Sequence, residues 1–290
     1  MQLKIPINTS GVYDYSSLFD YVRSRGWIPD PYLSSSRFSI RAGQDHPDNA
    51  SEYFRLFLRD DNVGTMEIVV NSPGFSPEIS DEIERVYQEV ADMGWPGHRV
   101  ALILNHPKYV RRQRALGRRV VVSSASLATY KRAIDVLVSR AGGDPEFEFV
   151  LPSTYQHTVD FLLPGSFTLL LNNGCQLQCL NSGCGSHADH MLECPIRNKR
   201  QYEEKAGNTD IISRHRFDDL VSRGWTSFKI AGRQARVDQI QATVEYYLGL
   251  DAGTAVPPHI DNPLSYRDGS NVNLEEHWAA SLASVSHAGK

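Results

Sequence analysis

Four cysteines stand within one twenty-residue segment, at Cys175, Cys179, Cys184 and Cys194, and the chain has no others. Three, four and nine residues separate them, so four thiolates can meet at one centre without long-range folding. Such a set suits either a cubane 4Fe-4S cluster or a structural zinc ion. Structural zinc sites usually present paired Cys-x-x-Cys knuckles, and this chain has none. Iron-sulfur sites accept irregular spacing and often carry a proline after one ligand, as Cys194-Pro195 does. The pattern therefore favours the cluster, with zinc as the alternative. His187 and His190 lie in the same segment as alternative ligands or proton carriers, although histidines in a polar loop are more often bystanders. Partial barrels that generate radicals hold a cluster on Cys-x3-Cys-x2-Cys just after the first strand. Here four residues follow Cys179 and the segment sits late in the chain, which argues against that chemistry.

The elements that must position this segment follow from the apolar pattern. At 290 residues the chain can bury one large core, and its 41% hydrophobic and 22% charged residues are those of a folded globular protein. From residue 66 onward, short aliphatic or β-branched runs alternate with helical patterns, the signature of βα units and a parallel sheet. Strands are predicted at Leu3–Ile7, Met66–Val70, Val100–Leu104, Arg119–Val122, Phe147–Leu151, Phe167–Leu171 and Ser227–Ile230. Helices are predicted over Ser16–Ser24 and Ala50–Leu58. Amphipathic stripes add three more: Ile79, Ile83, Val86 and Val90; Leu127, Tyr130, Ile134, Leu137 and Val138; and Val237, Ile240, Val244, Tyr247 and Leu248.

Seven strands with an eighth suspected predict an α/β fold, a (β/α) TIM-like barrel that is distorted or incomplete, over residues 1–250; a doubly wound open sheet is the alternative. Polar residues collect just after the strands, at Asn71, Asn105-His106, Ser123-Ser124, Ser153-Thr154 and Asn172-Asn173. They either line the working face of a barrel or cap the helices that follow. After Leu250 the pattern stops, and Pro257-Pro258 with its polar surroundings predicts an extended tail over 251–290. No internal repeat stands out.

Charge sets further limits. The net charge of -4 gives no general attraction to nucleic acid. Lys108, Arg111, Arg112, Arg114, Arg118 and Arg119 cluster within twelve residues, but only Tyr109 interleaves as an aromatic, so a solvated helix face is the better reading. No apolar run reaches the ~20 residues of a bilayer span, and the first residues lack the design of a signal peptide. A cytoplasmic location is expected, where clustered cysteines serve metals or redox chemistry rather than disulfides.

Taken with Ser227-Phe228-Lys229-Ile230-Ala231-Gly232-Arg233 and the Cys194-Pro195-Ile196-Arg197 element, the chain resembles the collagenase-like peptidase family, the group that includes the UbiU and UbiV proteins. The resemblance covers roughly residues 66 to 250, where an apolar strand leads to Asn and Cys and a helix with Tyr246-Tyr247 follows Arg233. It implies a barrel, often distorted, with a four-cysteine 4Fe-4S cluster and oxygen-independent hydroxylation of a small aromatic metabolite. RNA bases are substrates of longer members. It also implies prephenate as an oxygen donor and, in some members, a heterodimer of two related barrels, one of them non-catalytic. Holding all four cysteines within twenty residues departs from the wider spread in that family.

On this reading Lys229 and Arg233, at the end of a strand, hold a carboxylate or phosphate, and His187 is a proton carrier; the structural alternative makes Lys229 a surface residue and Arg233 a helix-start contact. Peptidase activity is the competing function. No Gly-x-Ser-x-Gly elbow or His-Glu-x-x-His helix supports it, and thiols committed to a metal are poor nucleophiles.

Overall fold

Val100–Leu104 reads VALIL and Met66–Val70 reads MEIVV, and every residue of both is buried. Strands covered on both faces belong to a parallel sheet wrapped by helices. A computed structural model describes residues 1–9, 11–34, 49–70, 77–104, 106–123, 148–151, 167–172, 212–232 and 235–249. Its strands are β1 Gln2–Pro6, β2 Ile28–Ser34, β3 Met66–Val70, β4 Val100–Leu104, β5 Arg119–Val122, β6 Glu148–Leu151, β7 Phe167–Leu170 and β8 Ser227–Lys229. All neighbours pair in parallel, and β8 pairs with β1 through Gln2↔Ser227 and Lys4↔Lys229 to close the ring. The barrel is therefore complete with eight strands in sequence order, which corrects the expectation of an incomplete barrel and excludes the open sheet.

The strand that the sequence reading lacked is β2, whose run Ile-Pro-Asp-Pro-Tyr-Leu-Ser carries two prolines. Proline removes a ladder donor and normally excludes a central strand. Here Ile28 N donates to Met1 O and Tyr32 O accepts from Ile7 N, so the even-numbered residues bond to β1. Pro29 O accepts from Gly64 N, on the opposite side, towards β3. Pairing with β3 begins only at Tyr32↔Glu67, so the missing N–H groups of Pro29 and Pro31 fall where no ladder needs them.

Among the described residues, helices cover the outside: α1 Ser16–Ser24, α2 Ala50–Leu58, α3 Pro77–Asp92, α4 Pro107–Ala115, α5 Arg214–Ser222 and α6 Val237–Leu248. One apolar core lies between barrel and helices, joining Leu3, Ile5, Ile68, Leu102, Val120 and Phe228 to helix residues such as Phe19, Phe57, Ile83 and Val244. A second, smaller core fills the inside of the barrel with Tyr32, Val69, Ala101, Ile103, Val121, Val150, Leu170 and Ala231.

One turn recurs between helix and strand. Gly26, Gly94, Gly117 and Gly224 each follow a helix with positive φ, and the next residue's N–H returns to the carbonyl five positions back: Trp27 to Val22, Trp95 to Val90, Arg118 to Gln113 and Trp225 to Leu220. This is the bonding of a Schellman stop, which only glycine enters without strain. Three of the four are Gly-Trp dipeptides with the indole buried, so a local repeat does exist in the sequence, at the scale of a turn.

Candidate functional site

The C-terminal ends of the strands are where parallel barrels carry chemistry, because the βα loops converge there. β7 ends at Leu170, and Cys175 follows five positions later. β8, its neighbour in the ring, ends at Lys229, and Arg233 follows after four. Asn172 ties these two exits together. Its side chain is fully buried, its Oδ1 accepts from Ala231 N at 2.6 Å, and its Nδ2 donates to Ala231 O at 3.1 Å. An amide side chain thus extends the ladder one step past the strands and fixes the points from which the cysteine segment and the Arg233 segment leave. Leu171 O accepts from the buried Tyr247 hydroxyl of α6 at 3.2 Å, and Leu171 N donates to Lys229 O at 2.8 Å, holding the same exit from outside and beside. The four cysteines, His187, His190 and Arg233 lie outside the described residues, as do Asn71, Asn105, Ser124, Ser153-Thr154, Asn173, the stripe from Leu127 to Val138 and the tail over 251–290.

Lys229 is not a surface residue. It is 6% exposed and points into the barrel, where its ammonium lies 3.6 Å from the centre of the Tyr32 ring and 3.8 Å from Glu67 Oε2. The Tyr32 hydroxyl donates to Ile230 O at 2.5 Å, which locks the ring that carries this cation.

Beside Lys229, which is in register with Lys4, the interior is charged. Lys4 of β1 is wholly buried and donates to both Glu67 of β3 and Glu148 of β6. Glu148 also accepts from the Thr168 hydroxyl and from Arg119 Nη2 at 3.2 Å. Thr168 shares a hydroxyl contact of 2.6 Å with Ser227, and Arg119 Nη1 donates to Thr65 Oγ1 at 2.6 Å. Burial alone would raise the Glu148 carboxyl; the Lys4 charge, hydrogen bonds from Lys4 and Thr168, and Arg119 outweigh it and bring the pKa down to about 2. For Lys4, burial favours the neutral amine, but Glu148 and Glu67 more than offset it and hold the pKa above the ordinary lysine value. Asp30 of β2 differs from both: burial, then the charge of Glu67, push it up to about 7 against the opposing pull of Lys4 and the Thr65 N–H. The sequence reading missed Lys4, Asp30, Glu67 and Glu148 altogether. The available signal was a lone charge inside each of four apolar runs.

His106 caps α4: its Nδ1 accepts from Lys108 N at 3.2 Å, with Pro107 opening the helix. For this residue, capping accounts for the polar position after a strand. The basic run divides: Lys108, Arg111 and Arg112 are exposed on α4, while Arg118 and Arg119 turn to internal partners. Arg118 reaches Glu84 at 2.7 Å and stacks 3.9 Å from the Tyr87 ring centre, Arg112 faces Asp81 and Glu84, and Arg119 enters the barrel. No described helix is long and apolar enough to cross a membrane, and no described group of three or more His, Cys, Asp or Glu is arranged for a metal ion.

No family model matches the chain, and no curated protein matches it. Among solved structures it is similar to the crystal structure of the probable 3-DHS dehydratase AsbF involved in petrobactin synthesis from Bacillus anthracis, at 12% identity and a TM-score of 0.47. That likeness covers 87% of this chain and 100% of the other.

Proposed function

We propose that this chain is an iron-sulfur barrel enzyme that acts on a small metabolite at the C-terminal face of the barrel, in the manner of the oxygen-independent hydroxylases it resembles. The observation that carries this reading is positional: the only four cysteines of the chain begin, in sequence, five residues beyond the end of β7, and the C-terminal ends of the strands are where barrel chemistry is done. The donor set fits the group, since four thiolates satisfy a 4Fe-4S cluster without help from other elements. Cys175, Cys179, Cys184 and Cys194 would hold it, and a bound cluster supplies one-electron transfer.

The chain's own residues divide the remaining work. The Asn172 amide holds the β7 and β8 exits in fixed relation, so the cysteine segment and Arg233 leave from neighbouring points. Arg233 is the residue for a substrate carboxylate, of which prephenate is an example, through a bidentate guanidinium contact. Lys229 adds positive potential from below but has Glu67 as an internal counter-charge. His187 is the proton carrier of this scheme. A second, related barrel chain is the partner to seek.

Anaerobic purification followed by iron and acid-labile sulfide assay tests the reading. About four of each per chain are expected, falling together on Cys→Ser substitution at any of the four positions. A colourless protein with one zinc per chain overturns it.

A further inference from the structure

The carboxyl of Asp30 is enclosed on every side. The residue is fully buried on β2, and its Oδ1 takes one hydrogen bond, from Thr65 N at 2.7 Å. Its Oδ2 is buried with no hydrogen-bond partner, as is Glu67 Oε2. Among the described residues no cation pairs with Asp30, whereas Glu67 and Glu148 both contact Lys4, and Glu148 also contacts Arg119. Gly64, two residues before β3, presses on it: a Cβ there would lie 2.1 Å from Asp30 Oδ1 and 2.8 Å from Ile28 Cγ2, so the carboxyl occupies space that a side chain at 64 would need.

The charged groups around Asp30 come from every strand bordering it. β1 supplies Lys4, its register partner; β3 supplies Glu67; β6 supplies Glu148; and Arg119 of β5 and Lys229 of β8 complete the interior. A bare buried carboxylate oxygen beside two further carboxylates is costly, and Lys4 already serves both of those. The Lys4 ammonium on the neighbouring strand, in register with Asp30, repels a metal ion. A proton is the one cation that fits.

We propose that the barrel interior contains a proton-binding site in which Asp30 is a neutral carboxylic acid in weakly acidic solution and releases its proton to solvent as the pH rises through neutrality into alkali. Ionisation places a third carboxylate beside Lys4, in competition with Glu67 and Glu148, and so weakens the links that Lys4 makes across the barrel to β3 and β6. The upward shift of the Asp30 carboxyl agrees with this arrangement. The site is independent of the cysteine segment and works whether or not a metal is bound there.

The sign follows from linkage. A carboxyl raised in the folded state keeps its proton while the unfolded chain loses it, so its contribution to stability falls as pH rises from about 4 to about 7 and is constant above. Infrared titration of the full chain reads the proton directly. The expected result is a carboxylic acid C=O band present at about pH 6, fading by about pH 9, and absent from Asp30→Asn. The urea midpoint of Asp30→Asn should gain on that of the parent chain between about pH 4 and pH 7 and stay parallel beyond. In Glu67→Gln the band should fade at lower pH, because the like charge that acts most strongly on Asp30 is gone. A parent chain with no acid band above about pH 5, or a band unchanged in Asp30→Asn, overturns the proposal. The titration of the parent chain decides it even where a variant does not fold.

Discussion

Lys4 is a fully buried ammonium whose partners come from two different strands, Glu67 on β3 and Glu148 on β6. Replacing it with Met keeps the bulk and removes the charge, leaving two carboxylates facing each other in the interior. Loss of one member of a buried ion pair costs about 3–5 kcal/mol, so Lys4→Met is expected to lower unfolding free energy by that amount in a urea titration at neutral pH. Glu148 sets the acid behaviour. Its pKa is depressed to about 2, so its contribution is present above its ordinary range near 4.5 and lost as pH falls through 2. Glu148→Gln should flatten that acid limb of stability against pH. Gly64 makes a sharper test: Gly64→Ala drives a methyl into Asp30 Oδ1 and is expected to cost about 1–3 kcal/mol. In an Asp30→Ala background only part of that cost should vanish, since the new methyl still lies 2.8 Å from Ile28 Cγ2, and a double-mutant cycle measures the Asp30 share. None of these residues was legible as interior. In a strand buried on both faces the period-two alternation is erased, so MEIVV says that Glu67 is in a strand and not which way it points.

At the level of elements, the sequence showed where helices run far better than which strand was missing. α1 and α2 lie over the residues read for them, because Leu18, Phe19 and Val22, then Tyr53, Phe54 and Phe57, repeat at helical spacing. β3, β4 and β5 were equally plain as unbroken apolar runs. β2 was not, since its prolines are harmless only through a pairing offset that no local pattern reveals. The Gly-Trp turns at 26–27, 94–95 and 224–225 are readable in the sequence; each marks a helix end followed within a few residues by a strand. The polar residue after β7 was seen, but its partner, Ala231, is 59 positions away, beyond the reach of spacing. Asn172→Ala should expose the Ala231 N–H and cost about 1–3 kcal/mol, read as lost hydrogen-exchange protection at that amide. Asn172→Asp retains the acceptor for Ala231 N but sets a carboxylate oxygen against Ala231 O, so it should recover only part of the protection.

For the whole molecule, closure and interior charge are one problem. β1 pairs with β2 on one side and β8 on the other, and the same strand brings Lys4 to Glu67 and Glu148. Removing β1 would open two edges, each a row of unpaired backbone groups, and would also take from Glu67 and Glu148 the ammonium they share. Lys4→Met removes only the charge and leaves both ladders intact. A chain beginning at Asn8 is therefore expected to show no cooperative urea transition, while full-length Lys4→Met keeps a single transition at a lower midpoint. If the shortened chain still unfolds cooperatively with near-native circular dichroism, the β1–β8 seam is not what completes the fold. If instead Lys4→Met loses its transition as the shortened chain does, the charge and not the ladder closes the barrel.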